Sequence, residues 1–145
     1  MAVKSVKGAK AKGRKLQNQV RDLLRKKFPT LEEDDIKSQT MGMTGEDIIL
    51  SPAARKLIPY SFECKNVEKL NIWSTLEQAE TNTPDGATPV AVIKRNRSKV
   101  YVIMEFDAWI KQIGGSIEPV QDSSVRTANS KDNRKSNRRT RKEGK

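Results

Sequence analysis

Charge is segregated along this chain, and the segregation limits where a core can form. Residues 1–15 hold six Lys and Arg and no acid, and residues 121–145 hold nine basic and three acidic residues. The stretch between them, 16–120, balances 14 basic against 15 acidic side chains and carries the periodic apolar pattern. The expected organisation is a basic flexible arm over 1–13, a folded domain over 14–118 and a basic tail over 119–145. The tail's Ser, Asn, Lys and Arg offer little to bury, so it is expected to be disordered. A nearly neutral body between cationic ends, with a formal charge of +11 overall, points to a polyanionic partner, with nucleic acid first.

Composition then removes whole classes of chemistry. The longest apolar run is Val100–Met104, five residues, far short of a membrane-spanning helix. The basic N-terminus lacks the apolar segment of a secretory signal, so a cytoplasmic protein without membrane partners is expected. The single cysteine, Cys64, rules out a disulfide framework and a Cys-ligated zinc finger. The chain has no histidine, which excludes Ser-His-Asp and Cys-His nucleophile systems and imidazole acid–base catalysis. A catalyst built from this sequence works with Asp, Glu, Lys and a hard metal ion.

Periodicity gives the element order. Leu16, Val20, Leu23, Leu24 and Phe28 repeat at helical spacing, and Pro29 stops that helix. Ile36–Gln39 is a short strand candidate, followed by a Gly-rich turn, Met41–Gly45. Asp47-Ile48-Ile49-Leu50 reads as a strand buried on both faces, and Pro52–Lys56 as one helical turn with Pro first. In Tyr60–Lys65, alternation sets Tyr60, Phe62 and Cys64 on one side and Ser61, Glu63 and Lys65 on the other. Asn71 caps a helix with a stripe of Ile72, Trp73, Leu76 and Ala79, and Trp73 and Trp109 sit at core spacing. Strands over Val90–Ile93 and Val100–Met104 flank a basic connection, and Asp107 is expected to cap a last helix bearing Trp109, Ile110 and Ile113 and closed by Gly114-Gly115. The order predicts an α/β (α+β) fold, a mixed sheet flanked by helices.

The chemistry lies in Asp47 and the triplet Glu63-Cys64-Lys65. If the two strands are neighbours, a pair of carboxylates and an ammonium converge. Two carboxylates are hard oxygen ligands for Mg²⁺, which polarises a phosphoryl oxygen and activates water. The lysine orients that water or offsets charge building at phosphorus. Spacing i, i+2 keeps Glu63 and Lys65 on one face of a strand.

Gly45-Glu46-Asp47-Ile48-Ile49 followed by Phe62-Glu63-Cys64-Lys65-Asn66 resembles the signature of the PD-(D/E)XK nucleases. Within that superfamily the chain most resembles the archaeal-type Holliday-junction resolvases and their phage relatives, over about residues 12–113. Lys12-Gly13-Arg14 ahead of the first helix, and Gln78 within Leu76-Glu77-Gln78-Ala79-Glu80, add to the likeness. The resemblance implies a restriction-endonuclease-like core, with Asp47, Glu63 and the Cys64 backbone carbonyl holding Mg²⁺ (or Mn²⁺ in its place). It implies that Lys65 assists the attacking water, that Gln78 and Gln17 join the site, and that the protein is a homodimer acting on branched DNA in the cytoplasm, a host's if the chain is phage-encoded. Gln17 stands where such resolvases usually carry a glutamate, and Ser51–Pro59 is an insertion relative to the shortest members. Glu46, beside Asp47, faces the other way on a strand and is expected to stay out of the chemistry.

Phosphate contacts are expected from Lys10, Lys12, Arg14 and Lys15 at the N-terminal end, from Thr44 in the turn, and from Lys94, Arg95, Arg97 and Lys99 between the last strands. No helix aligns Arg, Asn and Gln for base reading in the major groove, so shape recognition is expected. Two rival expectations stand beside the resolvase: a nicking, homing or restriction-type nuclease of the same fold acting on linear duplex, and a non-catalytic nucleic-acid-binding protein.

Overall fold

The structure, a computed structural model, describes residues 6–114. Helix α1 spans Val6–Lys27, and a 3₁₀ turn at Glu33–Asp35 leads into β1 (Ile36–Ser38). There follow β2 (Ile48–Leu50), α2 (Pro52–Leu57), β3 (Tyr60–Asn66), α3 (Ile72–Asn82), β4 (Thr88–Lys94), β5 (Tyr101–Ile103) and α4 (Phe106–Gly114). The fold is α+β, with two small sheets among the described residues. No helix among them is long and apolar enough to cross a membrane. Contacts divide the chain into units 1–109 and 110–145; the described part of the second is the end of α4.

Helix α1 begins at Val6, so most of the expected flexible arm is helical. Ala9, Lys10, Ala11 and Lys12 are strong helix formers, and they outweigh Gly8 and Gly13. Residues 1–5 of that arm, the last four residues (115–118) of the expected domain and the expected tail 119–145 lie outside the described residues.

Strands β1 and β2 pair antiparallel, with Ile36 opposite Leu50 and Ser38 opposite Ile48. Strands β3 and β4 run parallel, joined through α3, and β5 returns antiparallel beside β4. This second sheet is therefore mixed, but the expected single sheet is two. Their link is narrow: the Asp47 N–H donates to the Phe62 carbonyl at 3.0 Å.

Helix α1 covers one face of the larger sheet. Its Leu16 and Val20 join Cys64, Val90 and Val92 in one buried cluster, which extends over Ile36, Ile48 and Leu50 to Ala54 and Ile58. Helix α3 packs on β3 and β4 through Thr75 and Ala79, which are buried, as are the sheet's Ser61 and Ala91. Small residues at this junction let helix and sheet approach closely.

Burial corrects three expectations. Trp73 is 77% exposed, and Trp109 and Ile72 are exposed too. The face of α3 turned to the sheet is the one bearing Thr75 and Ala79, because a close helix–sheet contact leaves no room for an indole. Ile49 is exposed, since β2 is covered on one face only. Leu23 is exposed, so the stripe of α1 runs through Leu16, Val20 and Leu24. Asn71 Oδ1 accepts from Ser74 N–H, the cap its position predicts, and Ser51 Oγ accepts from Ala54 N–H ahead of Pro52. Asp107 is not a cap: α4 starts at Phe106, which sets Asp107 inside the first turn.

Candidate active site at the end of strand β3

One cleft of about 390 Å³ is lined by Gln17 of α1, Thr40 and Met41 of the glycine turn, Asp47, the run Glu63–Asn66 and Gln78 of α3. It lies toward the C-terminal end of β3, which is parallel to β4. Outside the carboxyl ends of parallel strands, side chains from several elements converge while the backbone stays paired.

Asp47 immediately precedes β2, and its backbone is fixed on both sides: its N–H donates to the Phe62 carbonyl and its carbonyl accepts from the Gln39 N–H. Its Oδ2 accepts the Cys64 N–H at 2.7 Å, and the Gln17 side chain hydrogen-bonds the same carboxylate. Burial nevertheless pushes the Asp47 carboxyl above its ordinary range, because these bonds and the charge of Lys65 only partly offset the loss of solvent.

Glu63 is 3% exposed, although it points to the polar side of the alternation. Lys65 Nζ lies 3.3 Å from its Oε1. Asn82, at the end of α3, donates to its Oε2 at 3.4 Å. Burial first, then the charge of Asp47, raises the Glu63 carboxyl; Lys65 and Asn82 pull it back. Both carboxylates line the one cleft, where the negative charge of Asp47 disfavours ionisation of Glu63. Burial pushes the Cys64 thiol far up, and the two carboxylates add to this, so it stays a neutral packing group.

The donor set is oxygen only. Among the described residues there is no group of three or more His, Cys, Asp or Glu side chains placed to hold a metal, so two carboxylates are the acidic content of the cleft. The N–H and C=O of one strand residue point to the same edge, so the Cys64 carbonyl is directed to the side of β3 where its N–H meets Asp47. Gln17 is 6% exposed, and its Oε1 is buried without a hydrogen-bond partner. An orphaned buried oxygen costs free energy until something supplies a partner. Two carboxylates, a backbone carbonyl and an amide oxygen are the ligand types that suit a hard divalent cation.

The structure thus brings Asp47, Glu63, Lys65, Gln17, Gln78 and Cys64 to one cleft. Gln78 is exposed at its lip. Glu46 is turned away: it pairs with Arg55, whose other branch donates to the Tyr60 carbonyl at 2.6 Å. Of the expected phosphate contacts, Lys10 lines the cleft, where Thr40 also sits. Arg14 and Lys15 are exposed on α1, and Arg95, Arg97 and Lys99 are exposed around the β4–β5 turn. Three candidates are placed otherwise. Thr44 is not on the cleft wall, and its carbonyl accepts from Gln39. Lys94 donates to the carbonyls of Arg95 and Ser98, so it builds the turn. Lys12 donates to Asn96 at 2.7 Å and ties α1 to that turn. Lys94 and Lys12 thus spend their ammonium groups on acceptors within the fold.

Asn82 was missed by the sequence reasoning. The signal existed: Asn82 is four residues after Gln78 and so shares its helix face. A scan against family models, a search of curated proteins and a search of solved structures each found no match for this chain.

Proposed function

We propose that the protein is a Mg²⁺-dependent endodeoxyribonuclease with a PD-(D/E)XK-type core that cuts branched DNA, four-way junctions above all. The observation that carries this reading is the meeting of Asp47, Glu63 and Lys65 in one cleft, beside an unpartnered Gln17 oxygen. A pair of carboxylates with raised proton affinity and a lysine is a poor structural device, because it stores unfavourable charge burial. It is a useful device for gathering a cation and a phosphodiester.

In this reading Asp47, Glu63 and the Cys64 carbonyl hold the cation, and Gln17 Oε1 faces it or one of its waters. A bound Mg²⁺ supplies Lewis acidity toward the scissile phosphate. Lys65 leaves its ion pair with Glu63 to orient the attacking water and to offset negative charge on the phosphoryl oxygens. Asn82 keeps Glu63 aimed while Lys65 moves. Lys10, Arg14 and Lys15 draw the DNA backbone to the mouth of the cleft. Symmetric cutting of a junction needs two such sites, so the enzyme acts as a homodimer; the exposed Val102, Phe106 and Trp109 offer apolar surface for it.

The test is incubation of the purified protein with labelled four-way, forked and linear DNA, with Mg²⁺, Mn²⁺ or EDTA. Metal-dependent cutting of the branched forms is expected, and loss of cutting in Asp47→Asn and Glu63→Gln. Cutting of linear duplex with indifference to branches moves the reading to a nicking or restriction-type nuclease. Binding without cutting of any form leaves only a nucleic-acid-binding protein.

A further inference from the structure

A second concavity, of about 370 Å³, lies between the β3–α3 loop and the β4–β5 turn. Val67, Leu70 and Ile72 give it an apolar floor, Tyr101 an aromatic wall and Arg95 a cationic rim. Tyr101 is 56% exposed on the edge strand β5. The acid among the lining residues, Glu68, accepts the Asn96 N–H at 2.9 Å and so serves the turn. No ion pair involves Arg95 among the described residues. Val67 lines both this groove and the catalytic cleft.

We infer that this groove takes an unpaired nucleobase from the branch point of the DNA whose backbone enters the cleft, with Tyr101 stacking on the base and Arg95 holding the adjoining phosphate. The inference rests on the proposed nuclease reading and names what selects its substrate. An exposed aromatic ring over an apolar floor, rimmed by an unpaired guanidinium, matches a flat apolar face carrying an anion. A nucleotide is such a group, and stacking tolerates every base because each has a π-face. Within an intact duplex the bases already stack on one another, so the groove is idle there; a fork supplies bases that are free to enter, and a junction does so where a pair at its branch point opens. The shared wall at Val67 lets one strand run from cleft to groove. The basic residues of α1 contribute affinity for any duplex, whereas the groove contributes preference.

The test uses the full chain in EDTA, with fluorescence anisotropy on labelled oligo-dT of about 16 nucleotides, a length in the range of known single-strand sites, and on an abasic strand of equal length. The wild type should bind oligo-dT about tenfold more tightly than the abasic strand, the scale of one base–aromatic stack. Tyr101→Ala should erase that difference and Tyr101→Phe should keep it; circular dichroism checks that each variant is folded. Equal affinity of the wild type for both strands, or an unchanged preference in Tyr101→Ala, overturns the inference. So does a Tyr101→Ala variant that turns a dimer into a monomer in sedimentation while oligo-dT binding is unaltered, since a second copy then owns the face. Mg²⁺-dependent junction cutting without base preference defeats this inference alone. Base preference without cutting on any DNA defeats the nuclease reading and leaves the groove as a binding site.

Discussion

Asp47 and Cys64 are joined by a 2.7 Å bond from the Cys64 N–H to the Asp47 carboxylate, while the Asp47 N–H reaches the Phe62 carbonyl. One residue thereby stitches the small β1–β2 sheet to the edge of β3. The carboxylate that completes the candidate site is also the side chain that positions it, because the Cys64 N–H and the Gln17 side chain both hold it at the cleft.

Asparagine at position 47 can still accept the Cys64 N–H through its amide oxygen, whereas alanine cannot. Asp47→Asn is expected to keep thermal stability and DNA binding while losing cleavage by at least about 10²-fold, the scale of one essential polar group. Asp47→Ala should lose cleavage and about 1–2 kcal/mol of stability, the cost of an orphaned buried N–H. Differential scanning calorimetry beside a junction-cleavage assay separates the two.

Both carboxylates have folded-state proton affinities above their ordinary values, chiefly through burial. The folded state then binds more protons than the unfolded state between the ordinary and the raised values, so stability falls as pH rises through that window. In the proposed reading a divalent cation would compete for the same oxygens and reverse the loss. The increase in Tm caused by Mn²⁺ should be small at pH 5 and larger at pH 8, and absent in the Asp47→Asn, Glu63→Gln double variant at both.

Lys65 lowers the proton affinity of Glu63. Lys65→Met is expected to reduce kcat about 10²–10³-fold, as for loss of a transition-state donor. It should also move the rising limb of the pH–rate profile to higher pH, since Glu63 ionises later without the ammonium. A purely structural lysine would leave the limb in place.

Arg55 binds Glu46 and the Tyr60 carbonyl together, and Glu46 already has one buried oxygen without a partner. Removing the guanidinium strands both acceptors. Arg55→Met is expected to destabilise the fold by about 2–3 kcal/mol, measured by urea unfolding. Glu46→Gln should leave DNA cleavage near the wild-type rate, because Glu46 faces away from the cleft.

Arg97 holds φ at 59° in the β4–β5 turn, a left-handed conformation that costs a side-chain-bearing residue about 1–2 kcal/mol. Glycine relieves this at the expense of some chain entropy. Arg97→Gly is therefore expected to raise stability by roughly 0.5–1 kcal/mol and yet weaken DNA binding. The slope of log affinity against log salt should fall by about 1 if the guanidinium contacts one phosphate. Unfolding midpoints and salt-titrated anisotropy read the two effects independently.

Local pattern was sufficient wherever one short segment decides its own fate. Pro29 follows the end of α1, Asn71 and Ser51 cap α3 and α2, and the alternation in Tyr60–Lys65 sends Glu63 and Lys65 to one side, because caps, imino rings and strand pleat act within a few residues. The identities of Asp47, Glu63 and Lys65 as candidate partners were legible for the same reason. What the sequence could not decide was which neighbour each face would meet. Packing against a sheet of small residues turned Thr75 and Ala79 inward and left Trp73 outside. The same helix–sheet contact delivered Asn82 to Glu63. The docking of α1 buried Gln17 against Asp47, and a turn that needed its own hydrogen bonds claimed Lys94. Those outcomes depend on contacts between segments far apart in the chain, whose strength is set by shape and desolvation at the meeting surface, and no periodicity in a single segment encodes them.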